Sequence, residues 1–192
     1  MIRREPRDDE LDDELSGYVV RARAGDQDAW TAIYRALSPA VLGYMRSLGA
    51  EEPEDLLGEV FIHVVRGMPT FKGTGAQFRS WVFVVAHHRV IDERRRRKRS
   101  PMSDLTIDDV DIAEDVDVAE AALDALSAER VRAVLDDIAL PQREVLLLRI
   151  VGGLTIEEIA GAVGKTPGAV KALQRRGLAA IKRRLAREEV AP

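Results

Sequence analysis

Residues 155–177 read TIEEIAGAVGKTPGAVKALQRRG, two short amphipathic segments joined at Gly164-Lys165. Thr155 and Glu158 have the Thr-x-x-Glu spacing of a capping box, in which each side chain satisfies a free amide at a helix start. Ile156, Ile159, Ala160 and Val163 make one inner face at helical spacing. Gly164 tolerates the left-handed conformation that ends a helix. Thr166 is placed to cap the next helix, and Pro167 takes its first position, where the missing N–H is no loss. On that second helix Val170, Leu178, Ile181 and Leu185 fall within one arc of the helical wheel, flanked by Lys171, Arg175 and Lys182. The pattern is a helix-turn-helix. Its second helix is expected to enter the major groove of DNA, with Thr166, Lys171, Ala172, Arg175 and Arg176 placed to reach bases and phosphates.

The net charge of −4 over 192 residues is an average over segregated blocks. Glu5 to Glu14 is mostly acidic, whereas Arg89 to Arg99 holds seven basic residues against Asp92 and Glu93. Ser100 to Glu129 has ten carboxylates and no Lys or Arg, while Ile159 to Arg187 has eight basic residues and no carboxylate. Such alternation suggests two basic nucleic-acid faces separated by an acidic connector. Hydrophobic residues at 46% support packed cores, and aromatics at 5% with few alternating runs favour an all-helical chain. The lack of cysteine excludes disulfides, thiolate catalysis and cysteine zinc sites and suits a reducing cytoplasm. No apolar run approaches the ~20 residues of a membrane helix, and MIRREPRDDELDDEL lacks the apolar core of a signal peptide. A cytoplasmic location without membrane insertion is expected.

The periodicity predicts an all-α chain of two small helical domains joined by an acidic flexible linker. Residues 1–14 read as an acidic tail, 15–99 as the first domain, 100–126 as the linker, 127–187 as the second domain and 188–192 as a tail. In the first domain Trp30, Ile33, Tyr34 and Leu37 form one stripe, and Pro39 is expected to restart the chain. Leu56-Leu57, Val60-Phe61 and Val64-Val65 recur at the helical period. PTFKGTGAQ (69–77) reads as a loop, followed from Phe78 by a long helix with Trp81, Val82 and Val85 inward. In the second domain Val131, Val134, Leu135 and Ile138 open a further helical pattern. Pro141 starts another helix, and Gly152-Gly153 ends it.

Three blocks in order resemble the bacterial sigma-70 family of RNA polymerase specificity subunits, in its group IV (extracytoplasmic-function) form. PEDLLGEVFIHVVRGMPTF is similar to the core-binding helix of sigma domain 2. FRSWVFVVAHHRVIDERRRRKR is similar to the helix that opens and reads the −10 element. ALPQREVLLLRIVGGLTIEEIAGAVGKTPGAVKALQRRGLAAIKRRL resembles sigma domain 4, which reads the −35 element. The resemblance implies core RNA polymerase (its β′ clamp helices and β flap), promoter DNA and an anti-sigma factor as partners. It implies no metal, no cofactor and no catalysis. It implies that Asp55, Leu56, Glu59, Phe61 and Val64 contact the clamp. Thr74, Gly75, Ala76 and Gln77 would receive a flipped-out base of the non-template strand. His88, Arg89 and Asp92 would face the melted strand, with Arg94 and Arg95 opening a cationic run to Arg99 that holds phosphates. The chain departs from the family pattern at Gly58, where Gln is usual, and at His88, where Asn is common.

Two other readings remain. A helix-turn-helix regulator acting without being a polymerase subunit would use residues 1–126 as a sensor, yet no strand carrying a phosphoacceptor Asp is apparent. An enzyme would need a constellation that the three histidines, His63, His87 and His88, do not supply. Adjacent His87 and His88 point their rings apart, which is poor metal geometry. Binding to core polymerase separates these readings.

Overall fold

Helix-forming runs separated by Gly, Pro and Asp give the chain its punctuation. The computed structural model describes residues 6–99, 135 and 138–188. These form α1 (Pro6–Arg23), α2 (Gln27–Ser47), α3 (Pro53–Gly67), a 3-10 turn (Met68–Thr70), α4 (Gly75–Arg99), α5 (Leu140–Ile150), α6 (Ile156–Val163) and α7 (Pro167–Glu188). No strand occurs among the described residues. The acidic linker 100–126, Val131, Val134 and the tail 188–192 lie outside them, apart from the backbone of residue 188 at the end of α7.

Asp26 shows how local chemistry sets the joints. Its carboxylate accepts from the amides of Asp28 (2.9 Å) and Ala29 (3.1 Å) at the start of α2. Those amides, Ala29's first, and the Arg21 guanidinium hold its pKa below the usual carboxylate value.

Helices α1 to α4 enclose a core in which Leu15, Ile33, Leu37, Met45, Val60, Phe78 and Phe83 are fully buried. Leu146, Leu148, Leu154, Ile159 and Val170, from the region of α5 to α7, continue the same buried cluster. Close approach of α5 and α7 depends on Gly177, where a Cβ would stand 2.6 Å from Leu146 Cδ1. The two units are docked. Ser80 Oγ donates to the Gly152 carbonyl (3.4 Å), and a Cβ on Gly152 would meet Phe83 Cβ at 3.1 Å. Arg143 Nη1 donates to the Ser47 carbonyl (2.7 Å). Arg94 pairs with Glu144 (3.0 Å) and also donates to the Leu48 carbonyl.

Four expectations change. Residues 6–14, read as a tail from their charge, are the first half of α1, because Asp12 is buried in an ion pair with Arg79 of α4 (3.1 Å). Pro39 does not restart the chain but sits inside α2. α4 begins at Gly75 rather than Phe78, so Gly75, Ala76 and Gln77 form its first turn and not a loop. On α7 the inward face is Val170, Leu173 and Gly177, with Ile181 half-buried, while Leu178 and Leu185 are exposed. The face is fixed by where α5 and α6 lie, not by apolar content alone.

Candidate nucleic-acid interface

The helix-turn-helix forms as its residues dictate. Thr155 Oγ1 accepts from the Glu158 amide (3.2 Å), and Glu158 Oε2 accepts from the Thr155 amide (2.7 Å), a complete capping box. Gly164 is left-handed at φ 64°, and the Lys165 amide returns to the Ala160 carbonyl (3.0 Å). Thr166 Oγ1 accepts from the Ala169 amide (3.2 Å) and starts α7. Lys171, Arg175, Leu178 and Lys182 follow i, i+4, i+7 and i+11 and are all exposed, so they share one outer face. Arg176 is exposed beside it with its Nε on the Ala172 carbonyl (3.3 Å), and Ala172 is half-buried. Thr166 is exposed but already engaged in capping.

On α4 the expected residues divide. His88, Asp92 and Arg95 are exposed, and Arg95 pairs with Asp92 (3.5 Å). Arg89 is half-buried and reaches Glu59 of α3 (3.6 Å). Arg94 is turned towards Glu144 and is only 14% exposed, so it is not available on the outer face. Buried His87 points the other way from His88 and shares a hydrogen bond with Tyr44 Oη (2.9 Å). Burial, then the charges of His88 and Arg94, lower its pKa from 6.5 to about 4, so it is neutral at physiological pH.

At the start of α4, Thr74 and Gln77 are exposed, Ala76 is half-buried and Gly75 is buried against α1. Thr74 and Gln77 close on each other: the Thr74 amide donates to Gln77 Oε1 (2.9 Å) and the Gln77 amide to Thr74 Oγ1 (3.3 Å). Phe71, stacked on Trp81 (centroids 5.3 Å) and edge-on to Phe78 (5.4 Å), supports this turn from below.

The residues expected to meet a polymerase also divide. Asp55 and Glu59 are exposed on α3, whereas Leu56, Phe61 and Val64 are buried core positions. The outer face of α3 is instead Asp55, Glu59, Ile62 and Arg66, again at i, i+4, i+7 and i+11, with Val65 alongside. Ile62 (53% exposed) and Val65 (49%) were missed in the sequence because an apolar residue reads as core. Their signal is that Ile62 falls off the Leu57, Val60, Phe61, Val64 stripe. Exposed Tyr34 of α2 packs on Phe61 (4.7 Å) and extends the same surface. Glu59, Ile62, His63, Arg66 and Arg89 line a shallow cleft of about 320 Å³ between α3 and α4. Among the described residues no cluster of three or more His, Cys, Asp or Glu could hold a metal ion. No described helix is long and apolar enough to cross a membrane.

Family models match this chain twice: Sigma-70 region 2 over residues 33–100 and Sigma-70, region 4 over residues 128–181. The ECF RNA polymerase sigma factor ShbA of Streptomyces griseus is 34% identical over 187 residues, covering 92% of this chain and 97% of its own. The ECF RNA polymerase sigma factor SigD of Mycobacterium tuberculosis is 31% identical over 174 residues, covering 88% and 82%. Among solved structures, CnrH in complex with the cytosolic domain of CnrY shares the fold at a TM-score of 0.58, with 21% identity over 91% of this chain and 98% of that one. The sigma factor RpoE of Bartonella quintana, in complex with the anti-sigma factor NepR, does so at 0.59, with 19% identity over 82% and 96%.

Proposed function

This chain belongs to the extracytoplasmic-function branch of the sigma-70 family, factors that bind RNA polymerase and direct promoter-specific initiation, and from that premise we propose how its surfaces divide the work. The observation that carries the proposal is the pairing of two outer faces. α7 offers Lys171, Arg175 and Lys182 without a carboxylate, and the outer face of α3 offers apolar Ile62 between Asp55, Glu59 and Arg66.

The α7 face reads the −35 element, with Lys171 and Arg175 on bases or phosphates and Arg176 and Thr166 at its margins. The α3 face, with Tyr34 and Val65, docks on the polymerase clamp. Ile62 and Val65 supply the apolar centre that such an interface needs, and Asp55 and Glu59 its polar rim. Leu56, Phe61 and Val64 hold α3 in place from the core rather than touching the partner. The −10 element meets the first turn of α4 at Thr74–Gln77, then His88 and Asp92 along the same helix. The boundary of this −10 and polymerase unit runs from α1 to Arg99, and the −35 unit begins before Leu140.

Release of Arg94 from Glu144 must accompany use of both units, since two elements separated along a duplex cannot both be reached while α5 is docked on α4. A partner that holds the docked state would keep the factor silent. RpoE is in complex with the anti-sigma factor NepR and CnrH with the cytosolic domain of CnrY, and we place an anti-sigma factor among this chain's partners. Catalysis belongs to the polymerase, and the site of action is the cytoplasm.

Co-purification with core polymerase and run-off transcription from genomic fragments test the assignment. Stable holoenzyme that initiates at a defined set of promoters is expected. A chain that binds a DNA sequence tightly by itself near physiological salt, and that never associates with core enzyme, would instead be a free-standing regulator.

A further inference from the structure

A glycine inside a helix costs stability relative to alanine, because it gives up more chain freedom on folding and packs no side chain. At Gly75, Gly152 and Gly177 the reason for it is internal: a Cβ would stand 2.0, 2.7 and 2.6 Å from its nearest neighbour. Gly58, in the middle of α3, has no such reason. Its φ is not positive, it is exposed, and a Cβ there would meet nothing within 4 Å. The fold does not need the space above it.

What surrounds that space is suited to a protein partner. In the i±3 and i±4 rows of α3, Gly58 is flanked by Glu54 and Asp55 on one side and by Phe61 and Ile62 on the other. Ile62 is 53% exposed, and Tyr34 of α2, 47% exposed, packs on Phe61 at 4.7 Å. One side of the notch is therefore apolar and open, as at the centre of a protein interface. The other side is acidic, with Glu54 held by Arg46 of α2 and Asp55 and Glu59 exposed beside it. Carboxylates at Glu54, Asp55 and Glu59 repel a phosphate backbone, so the occupant is protein and not nucleic acid.

We propose that Gly58 is the point at which RNA polymerase comes closest to α3. A helix of the clamp crosses α3 there and seats a large apolar side chain in the notch, with basic residues of its own opposite Glu54, Asp55 and Glu59. The inference rests on the reading above that this face of α3 docks on polymerase, and it adds which residue sets the fit. Helix axes pack about 8–10 Å apart according to the side chains at the crossing, and the missing Cβ admits the closer spacing. Stability given up in the free chain is recovered as contact in the complex.

The test uses the full chain and its cognate core polymerase, with affinities from competition between labelled and unlabelled factor and unfolding midpoints measured in parallel. Gly58→Ala and Gly58→Leu place good helix formers at an exposed position, so both should raise the midpoint. Core affinity should nevertheless fall, by about 3-fold in Gly58→Ala and about 10- to 100-fold in Gly58→Leu, as when a packed contact is overfilled. A loss of binding by a more stable protein is not misfolding. Gly17→Ala is the control. Gly17 is exposed within α1, away from α3, and its Cβ would also meet nothing within 4 Å. It should raise the midpoint and leave core affinity unchanged.

Ile62→Ala separates the two levels of the argument. Unchanged core affinity in both Ile62→Ala and Gly58→Leu overturns the reading of α3 as the polymerase face, and the notch with it. A loss in Ile62→Ala while Gly58→Leu binds like wild type leaves that reading standing and overturns the notch alone. Tighter binding by Gly58→Gln, whose side chain can reach across open space, would show a gap at Gly58 in place of a contact and overturns the proposal. An equal loss in Gly17→Ala assigns the effect to helix stiffness and does the same. If Gly58→Leu instead abolishes self-association of the free chain and spares core binding, the notch takes a second copy of this chain and the proposal falls.

Discussion

Replacing Glu144 by Gln should undock the −35 unit from the −10 unit. Glu144 and Arg94 meet at 3.0 Å with side chains 12% and 14% exposed, so solvent screens them little. Breaking a buried pair by removing one charge costs about 3–5 kcal/mol when the partner stays buried. Here the cost is smaller, for two reasons. Gln retains an oxygen that accepts from Arg94, and separation of the units rehydrates the guanidinium. Exchanging the carboxylate acceptor for a neutral amide oxygen, with the guanidinium still charged, leaves about 1–3 kcal/mol, a shift of roughly 5- to 150-fold in the docking equilibrium. Of the other polar contacts, Arg143 to the Ser47 carbonyl at 2.7 Å is sound, and Ser80 to the Gly152 carbonyl at 3.4 Å is weak by its length. The chain has no cysteine, so two can be introduced at exposed Val20 on α1 and exposed Ala179 on α7 and labelled specifically. Distance distributions between the labels should broaden and lengthen in Glu144→Gln. Glu157→Gln, an exposed carboxylate on α6, should leave them alone. Non-specific DNA binding by the free chain should rise with the same variant, since Arg94 becomes available. Superimposable distributions for wild type and Glu144→Gln would show that packing at Gly152 and Phe83, not the ion pair, holds the units together.

Acid should weaken the fold through His87. Its pKa falls from 6.5 to about 4 on folding, so below about pH 6.5 the unfolded chain takes up a proton that the folded one refuses. Stability is then full above that pH and declines towards pH 4 by about 3 kcal/mol, at about 1.4 kcal/mol per pH unit. Denaturant unfolding across this range should lose most of that slope in His87→Gln, which can still bond Tyr44; an unchanged slope would assign the acid sensitivity elsewhere. Lys171→Ala or Arg175→Ala should cost holoenzyme about 1–3 kcal/mol on a −35 duplex if the side chain reads a base. Core binding should not change in either, and a parallel loss of core binding would show that α7 is not the reading helix. Gly58→Ala should stabilise the chain by about 1 kcal/mol, because Gly58 is exposed within α3 and nothing lies within 4 Å of the Cβ it would gain; a lower unfolding midpoint would mean that α3 needs its flexibility there.

What the sequence makes legible is what neighbours in the sequence decide. The Thr155–Glu158 box, the Gly164 turn and the Thr166 cap form from residues three or four positions apart, and the structure builds all three as expected. Illegible features depend on partners far away in the chain. Asp12 reads as a solvated acid until Arg79, 67 residues on, is brought against it. Gly73 and Gly75 read as loop residues because glycine breaks helices, yet at Gly75 the glycine is there to admit α1. Leu178 reads as core by composition and stands on the outer face of α7 between Arg175 and Lys182.

The same distinction corrects the reading of the basic block itself. As a run of charge, Arg89 to Arg99 looks like one phosphate-binding face, but ion pairs thin it unevenly. Arg94 is shielded against Glu144, whereas Arg89 reaches Glu59 and Arg97 reaches Glu51 at the surface (3.6 and 2.8 Å). Arg95 and Asp92 are 66% and 56% exposed, and such a pair is worth at most about 1 kcal/mol. Phosphate can displace it. Arg96, Lys98 and Arg99 are exposed and make no ion pair among the described residues. Backbone contacts to the melted strand should therefore come first from Arg96, Lys98 and Arg99, next from Arg95, and from Arg94 only after the units part. Deleting one phosphate-binding cation should lower the salt dependence of holoenzyme binding to a −10 single strand by about 0.7 in the log–log slope. Removing Arg96 and Lys98 together should do so at once, while Arg94→Ala should do so only where Glu144 has also been replaced. Equal slopes for Arg94→Ala with and without Glu144 would mean that polymerase binding alone frees Arg94, and the docked state would then have no bearing on promoter contact.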